Sequence, residues 1–456
     1  MSLSAIVQLL LVLGLMVLVH EFGHFVVAKW CGVRVEAFAI GFGKRLVGFV
    51  HGGTDYRINA LPLGGYVKMA GEIPGEETSE DPGDLNNHPR WQRMLIAVAG
   101  PVANFVLAFG LMTGAYMLHN EVNEYVSGPA VTDYESPTTA AAKTGIQSGD
   151  TIVQFDSVSN PTWEDVLNHA ALNLNQTVRF SFVHDGKRTD TTLFLPFKGS
   201  SDDFSVDSAL ALGLVPKMQD QPIKVKEPVA GSPADRAGLK ANDQIVTIDG
   251  LTIRSVPVLL WYLNDQKGKP AVLSVLRDGQ PLTINVTPEL ADSGDGTGSK
   301  AYHLGFRAFE PPVKVEQLSF SKSVSASLEF NKKKSLLVVD VLKGMFERHI
   351  SVKSLSGPIG IGQVVHEAAE AQGWMPLIST MAMISVNLGM FNLLPFPILD
   401  GGMIFLLLIE SAFRRDLPMP IKERIYQVAF VCIVLFAAMV IFNDITKLPF
   451  IVRLKS

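Results

Sequence analysis

The chain has 456 residues, of which 47% are hydrophobic and only 18% charged, against roughly 25% charged in soluble domains. A net charge of -5 gives no support to a nucleic-acid binder, which needs a basic face. Two distant cysteines, Cys31 and Cys432, exclude a disulfide framework and a multi-cysteine metal site.

The apolar residues are unevenly spread. Residues 3–19 are almost uniformly apolar, with Ser4 and Gln8 the only polar side chains, which is the lower end of a bilayer-spanning length. A cleaved secretory signal fits poorly, because no basic segment precedes the run and no small-residue cleavage site follows it. A second run covers 94–118, a third 375–396 with a further apolar stretch at 403–408, and a fourth 425–442. These runs predict a polytopic α-helical membrane protein with four transmembrane helices. Basic residues follow the first span (Lys29, Arg34, Lys44, Arg45), precede the second (Arg90, Arg93) and lie between the third and fourth (Arg414, Arg415, Lys422, Arg424). The positive-inside rule puts these loops in the cytoplasm, and both termini and the large region after the second span outside. Lys447, Arg453 and Lys455 run against this assignment. The expected organisation is a first span at 1–30, a cytoplasmic loop at 31–93, a second span at 94–118, inserted domains at 126–220 and 221–309, an amphipathic linker region at 310–374, a third span at 375–413 and a fourth at 423–445.

The outer region carries an internal repeat. AAAKTGIQSGDTIVQFDSV from Ala140 matches SPADRAGLKANDQIVTIDGL from Ser232 at an offset of about 93 residues, the mark of a duplication. Gly145 pairs with Gly238, Asp150 with Asp243, and Asp156 with Asp249. Each copy reads as a short helix, a glycine turn, a strand and a tight turn. The pattern resembles the PDZ domain in its circularly permuted bacterial form, with Asn242 where that motif has glycine. The expectation is two α+β PDZ-like domains inserted between helices two and three. Such domains bind extended peptides at a sheet edge; the alternative is a pair of spacers with no ligand. Beyond them, 335–349 is amphipathic, with Val338, Val341, Leu342 and Met345 on one helical face.

The chemistry sits at the end of the first span. His20-Glu21-Phe22-Gly23-His24 is an H-E-x-x-H motif, which puts two imidazoles on one helical face and a carboxylate beside them. Neutral imidazole suits zinc, and ionisable groups at a bilayer span tend to be functional. A catalytic zinc takes three protein ligands and keeps one position open. The best third ligand is Asp400, the only ionisable residue between Trp374 and Glu410. Pro395 and Pro397 break the helix beside it, and such breaks at membrane depth occur where a cavity is lined. The other reading is that Asp400 caps the helix that follows.

HEFGH on the first span, NLLPFPILDGG from Asn392 on the third, and PDZ-like units between them resemble the site-2 protease family of intramembrane zinc metalloproteases, in its bacterial sigma-E-regulating type. GFGKRL from Gly41, LPLGGYVKM from Leu61, AGPVANF from Ala99 and SGPIGI from Ser356 also match. The resemblance implies Zn2+ held by His20, His24 and Asp400, with Glu21 as the base. It implies that Asn392 helps hold the substrate backbone. It also implies a membrane-associated hairpin at 63–69 whose edge, through Gly64, Gly65, Tyr66 and Val67, pairs with the unwound substrate. The expected substrates are single-span membrane proteins, such as an anti-sigma factor already trimmed by another protease, and remnant signal peptides. Extended peptides at the PDZ-like units and membrane lipid are the other expected partners, with no nucleic acid. The expected location is the bacterial inner membrane, with the PDZ-like domains periplasmic and the active site near the cytoplasmic face. Two rivals remain at this point: a membrane scaffold with a structural zinc, and a metal transporter, which should carry ionisable residues on several spans.

Overall fold

The structure is a computed structural model that describes residues 3–72, 81–122, 124–195, 212–292, 300–309, 314–347, 356–371 and 373–446. The chain forms two compact units. One comprises Met1–Asn120, Glu316–Leu342 and Leu355–Ser456; the other comprises Glu121–Val315 and Lys343–Ser354.

Among the described residues, the first unit holds four helices long and apolar enough to cross a membrane: Leu3–Cys31, Arg90–Leu118, Met375–Asn392 and Pro420–Thr446. The first, α1, does not stop at its H-E-x-x-H motif but runs on to Cys31, 29 residues in all. That is about 43 Å at 1.5 Å per residue, longer than the roughly 30 Å hydrocarbon core. Its second half packs on the other long helix, α2 (Arg90–Leu118). Gly23 lets the two backbones approach, because a Cβ there would lie 2.3 Å from the Ala99 carbonyl oxygen.

The third span is shorter than the expected 375–413. The helix ends at Asn392, and a new helix, Asp400–Phe413, begins after a turn. Pro395 and Pro397 lack the N–H groups that would continue the ladder. Gly401 and Gly402 then let the new helix start directly on that turn. A Cβ on either would come within 2.2 Å of the Leu393 and 2.0 Å of the Phe396 carbonyl oxygens, respectively. The amphipathic stretch at 335–349 belongs to a longer helix, Phe320–Phe346. A further helix, Pro358–Glu370, has its first amides tied by Asp444 from the last span. That buried carboxylate accepts from Gly357, Ile359 and Gly360 N–H at 2.9–3.1 Å.

Between α1 and α2 lie two long strands, β1 (Val35–His51) and β2 (Thr54–Met69). Both bend. Ile40 pairs with Ile58 on one side and Gly65 on the other, so the hairpin folds into a four-stranded sheet ordered 45–51, 54–59, 35–42, 65–69. Positive φ at Gly41, Gly43 and Gly64 marks the bends, which side chains with a Cβ rarely adopt. Leu46, Val47, Phe49, Val50 and Ile58 are exposed on this hairpin, an apolar surface that water does not favour.

The second unit is β-rich and its elements recur. The strand Thr151–Phe155, the helix Trp163–Leu172 and the strands Thr177–His184 and Lys187–Phe194 are followed by Gln244–Ile248, Val256–Asp265, Ala271–Arg277 and Gln280–Val286 in the same order. Thr162 and Ser255 cap the two helices through their side-chain oxygens. Asp150 accepts from Gln147 N–H and His184 Nδ1, and Asp243 accepts from Lys240 N–H and Arg277. Separate cores form around Trp163, Phe155 and Phe180, and around Ile245, Ile248 and Leu273.

Candidate metal centre

α1 presents His20 and His24 one helical turn apart on the face turned to α2, where they are 6% and 7% exposed. The break after Asn392 brings the first residue of the next helix, Asp400, to the same point. Its oxygens lie 3.0 Å from His20 Nε2 and 3.4 Å from His24 Nε2, and the two Nε2 atoms are 3.2 Å apart. One donor atom from each residue falls within 4.8 Å of the others. The N-cap position of that helix is Leu399 and Asp400 is its first helical residue, so the capping alternative is not what is seen.

The far sides of both rings decide what the near sides do. His24 Nδ1 donates to the Ile96 carbonyl at 2.7 Å. His20 Nδ1 lies 3.1 Å from Nδ2 of Asn104, a fully buried residue whose Oδ1, at the other end of the same amide, has no partner. With that oxygen turned to the ring, it accepts the Nδ1 proton. Both Nε2 lone pairs then face each other and a carboxylate. Three lone-pair donors turned on one another repel unless a cation lies among them, and two imidazoles with one carboxylate suit zinc. Gly100 of α2 completes the cradle, since a Cβ there would sit 2.2 Å from His24 Nε2 and 2.8 Å from His20 Cε1. The residues present therefore fit a zinc ion. Among the described residues three protein donors sit beside a cavity of about 280 Å³, which leaves a coordination position for water, whereas a structural zinc site is closed by four.

The cavity is lined by Glu21, Val67, Met69, Glu72, Asn392 and Met403 among others. Glu21 Oε2 accepts from Val67 N–H at 3.0 Å, which ties the carboxylate of α1 to β2. Asn392 places its amide 3.2 Å from His20 Nε2. Gly64 packs on Val17 of α1, where a Cβ would lie 3.1 Å from the valine. Gly65 is buried against β1, and Tyr66 stacks on Phe42 and meets Arg57. All the expected site residues thus come to one place or to the strand beside it. The sequence does not single out Asn104, Gly100 or Ile96. The one signal for the first two was the AGPVANF stretch, whose residues had no assigned task.

A pair of histidines on a helix long and apolar enough to cross a membrane, a carboxylate between them in sequence and a third ligand from a broken helix define a metalloprotease centre. The chain belongs to peptidase family M50, whose match covers residues 8–436, and it is a zinc metalloprotease. Among its relatives is the regulator of sigma E protease of Salmonella typhi, 33% identical over 448 residues, or 96% of this chain and 98% of the relative. The regulator of sigma-E protease RseP of Escherichia coli is 32% identical over 450 residues, and the protease RseP of Yersinia pestis 31% over 450. Each alignment spans 96% of this chain and 97% of the relative.

Proposed function

We propose that the chain is an inner-membrane endopeptidase that cuts within the transmembrane segments of single-span proteins. The observation that carries this reading is a three-ligand centre at a membrane helix with Glu21 and a strand edge in the same cavity. His20, His24 and Asp400 would hold the zinc. When bound, zinc polarises the scissile carbonyl and lowers the pKa of a water. Glu21 takes the proton of the attacking water and passes it to the leaving amine. Without substrate, Val67 N–H holds the Glu21 carboxylate beside the metal centre. Asn392 is placed to hold the substrate backbone. A transmembrane helix hides its scissile amide in i→i−4 hydrogen bonds and must unwind before it is cut. The edge of β2 through Gly64, Gly65, Tyr66 and Val67 replaces the lost bonds by strand addition.

The relatives' names as regulators of sigma E support a pre-trimmed anti-sigma factor as the substrate, with remnant signal peptides as a second class. The basic loops support a cytoplasmic face for the hairpin and a periplasmic location for the middle region, read as two PDZ-like domains. The open coordination position argues against a scaffold with structural zinc. The test is Glu21→Gln, which keeps the ligands but removes the proton acceptor. Zinc content and insertion should persist while cleavage of single-span substrates falls by about 10² or more. Normal turnover in this variant would sink the enzyme mechanism.

A further inference from the structure

The segment 65–69 is the outer strand of the hairpin sheet. One side of it pairs with β1, and Ala70 N–H extends that ladder to the Arg34 carbonyl at 2.9 Å. Successive N–H groups alternate sides, so Val67 and Met69 turn their amides away from β1, toward α1 and the metal cavity. Both amides are already engaged. Val67 N–H donates to Glu21 Oε2 and Met69 N–H to Glu72 Oε2, each at 3.0 Å. Two donors two residues apart, about 7 Å along a strand, are the pair that an incoming extended backbone would use. Here two carboxylates, which are strong acceptors for backbone N–H, stand where its carbonyl oxygens would go.

Glu21 has a proton to move, but the metal centre assigns Glu72 no task. Glu72 lines the cavity, yet it is exposed on the turn that leaves β2, so its side chain has room to swing away. We propose that Glu72 is a displaceable latch on the substrate-binding edge, occupying the Met69 N–H until a substrate carbonyl takes it. This rests on the strand-addition reading given above. A segment still in helical form offers no carbonyl at the right spacing and leaves the latch closed. An unwound segment displaces both carboxylates at once. The same event takes the Val67 N–H from Glu21 and releases that carboxylate for proton transfer, so docking and freeing of the base coincide. The edge therefore selects for backbone extension rather than for side chains.

The test uses the full-length zinc-loaded protein and, as probe, a synthetic single-span peptide weakened at mid-span by a Gly-Pro pair. Glu72→Ala opens the Met69 amide. KM should fall about three- to tenfold, the size of one net hydrogen bond, with kcat within about twofold and zinc content unchanged. Glu72→Gln keeps an acceptor oxygen without the charge, and its KM should fall between the two. Docking is read separately by disulfide trapping of Tyr66→Cys on a cysteine in the peptide, in a Glu21→Gln chain with Cys31 and Cys432 replaced by serine. Glu72→Ala should raise the trapping yield. If Glu72 merely closes the strand end, its loss loosens the edge. KM then stays or rises while trapping still occurs, and the latch is overturned with strand addition intact. No trapping in any version would remove strand addition itself, and the latch with it.

Discussion

An alanine at position 100 tests whether the crossing of α1 and α2 sets the metal centre. A Cβ there would stand 2.2 Å from His24 Nε2, 2.6 Å from His24 Cε1 and 2.8 Å from His20 Cε1. Ordinary contact begins near about 3.5 Å, so the His24 ring must retreat by more than about 1 Å. The ring is not free to do so while Nδ1 holds the Ile96 carbonyl on the same helix as Gly100. The alternative is for the helices to part, which Gly23 against Ala99 shows to be tightly fitted. Metal–ligand distances hold within about 0.2 Å, so either response breaks the ligand set. Gly100→Ala should weaken zinc binding by about a hundredfold or more, at or beyond the upper end of outer-shell substitutions. Alanine is the better helix former by about 1 kcal/mol, so loss of helix propensity is no rival explanation. Zinc per chain across a chelator titration, cleavage of a single-span substrate and melting in detergent measure the outcome. Wild-type zinc affinity in a folded Gly100→Ala chain would refute the cradle.

Asp400→Asn should weaken zinc binding about tenfold or more, read by the same titration; full occupancy and activity would mean that another residue is the third ligand. Asn104→Leu keeps the volume but removes the acceptor that orients His20, and should cost about 10- to 100-fold in zinc affinity while leaving the helices assembled. In the second unit, burial pushes the Asp243 carboxyl up, but the bonds from Arg277 and Lys240 N–H outweigh it and hold the group below its ordinary value. A carboxyl with a depressed folded pKa contributes stability that is present above its unfolded pKa and lost as pH falls through the folded one. Amide protection of the strands Gln244–Ile248 and Ala271–Arg277, taken relative to the intrinsic exchange rate at each pH, should therefore fall below about pH 4. Arg277→Met should flatten that acid dependence, and an unchanged profile would mean that the pair does not carry it.

The sequence alone carried whatever depends on neighbours along the chain. The length of the apolar runs located the four spans, because a bilayer sets a minimum helix length. The i, i+4 spacing put His20 and His24 on one face, and the prolines after Asn392 marked the break that frees Asp400. The pairing of Asp150 with Asp243 revealed the recurring elements of the β-rich unit. The point at which the third span ends was not legible, since the apolar stretch resumes beyond the prolines at 403–408. Nor were the partners that orient the centre. Ile96 and Asn104 reach the two histidines across 72 and 84 residues of chain, and Gly100 matters only because α1 crosses α2 at that point. Glu72 is three residues from Met69, but only the folded sheet turns that amide toward the cavity. Helical periodicity tells which residues share a face, whereas the face that meets them is chosen by packing between distant segments, and that choice exists only in the tertiary structure.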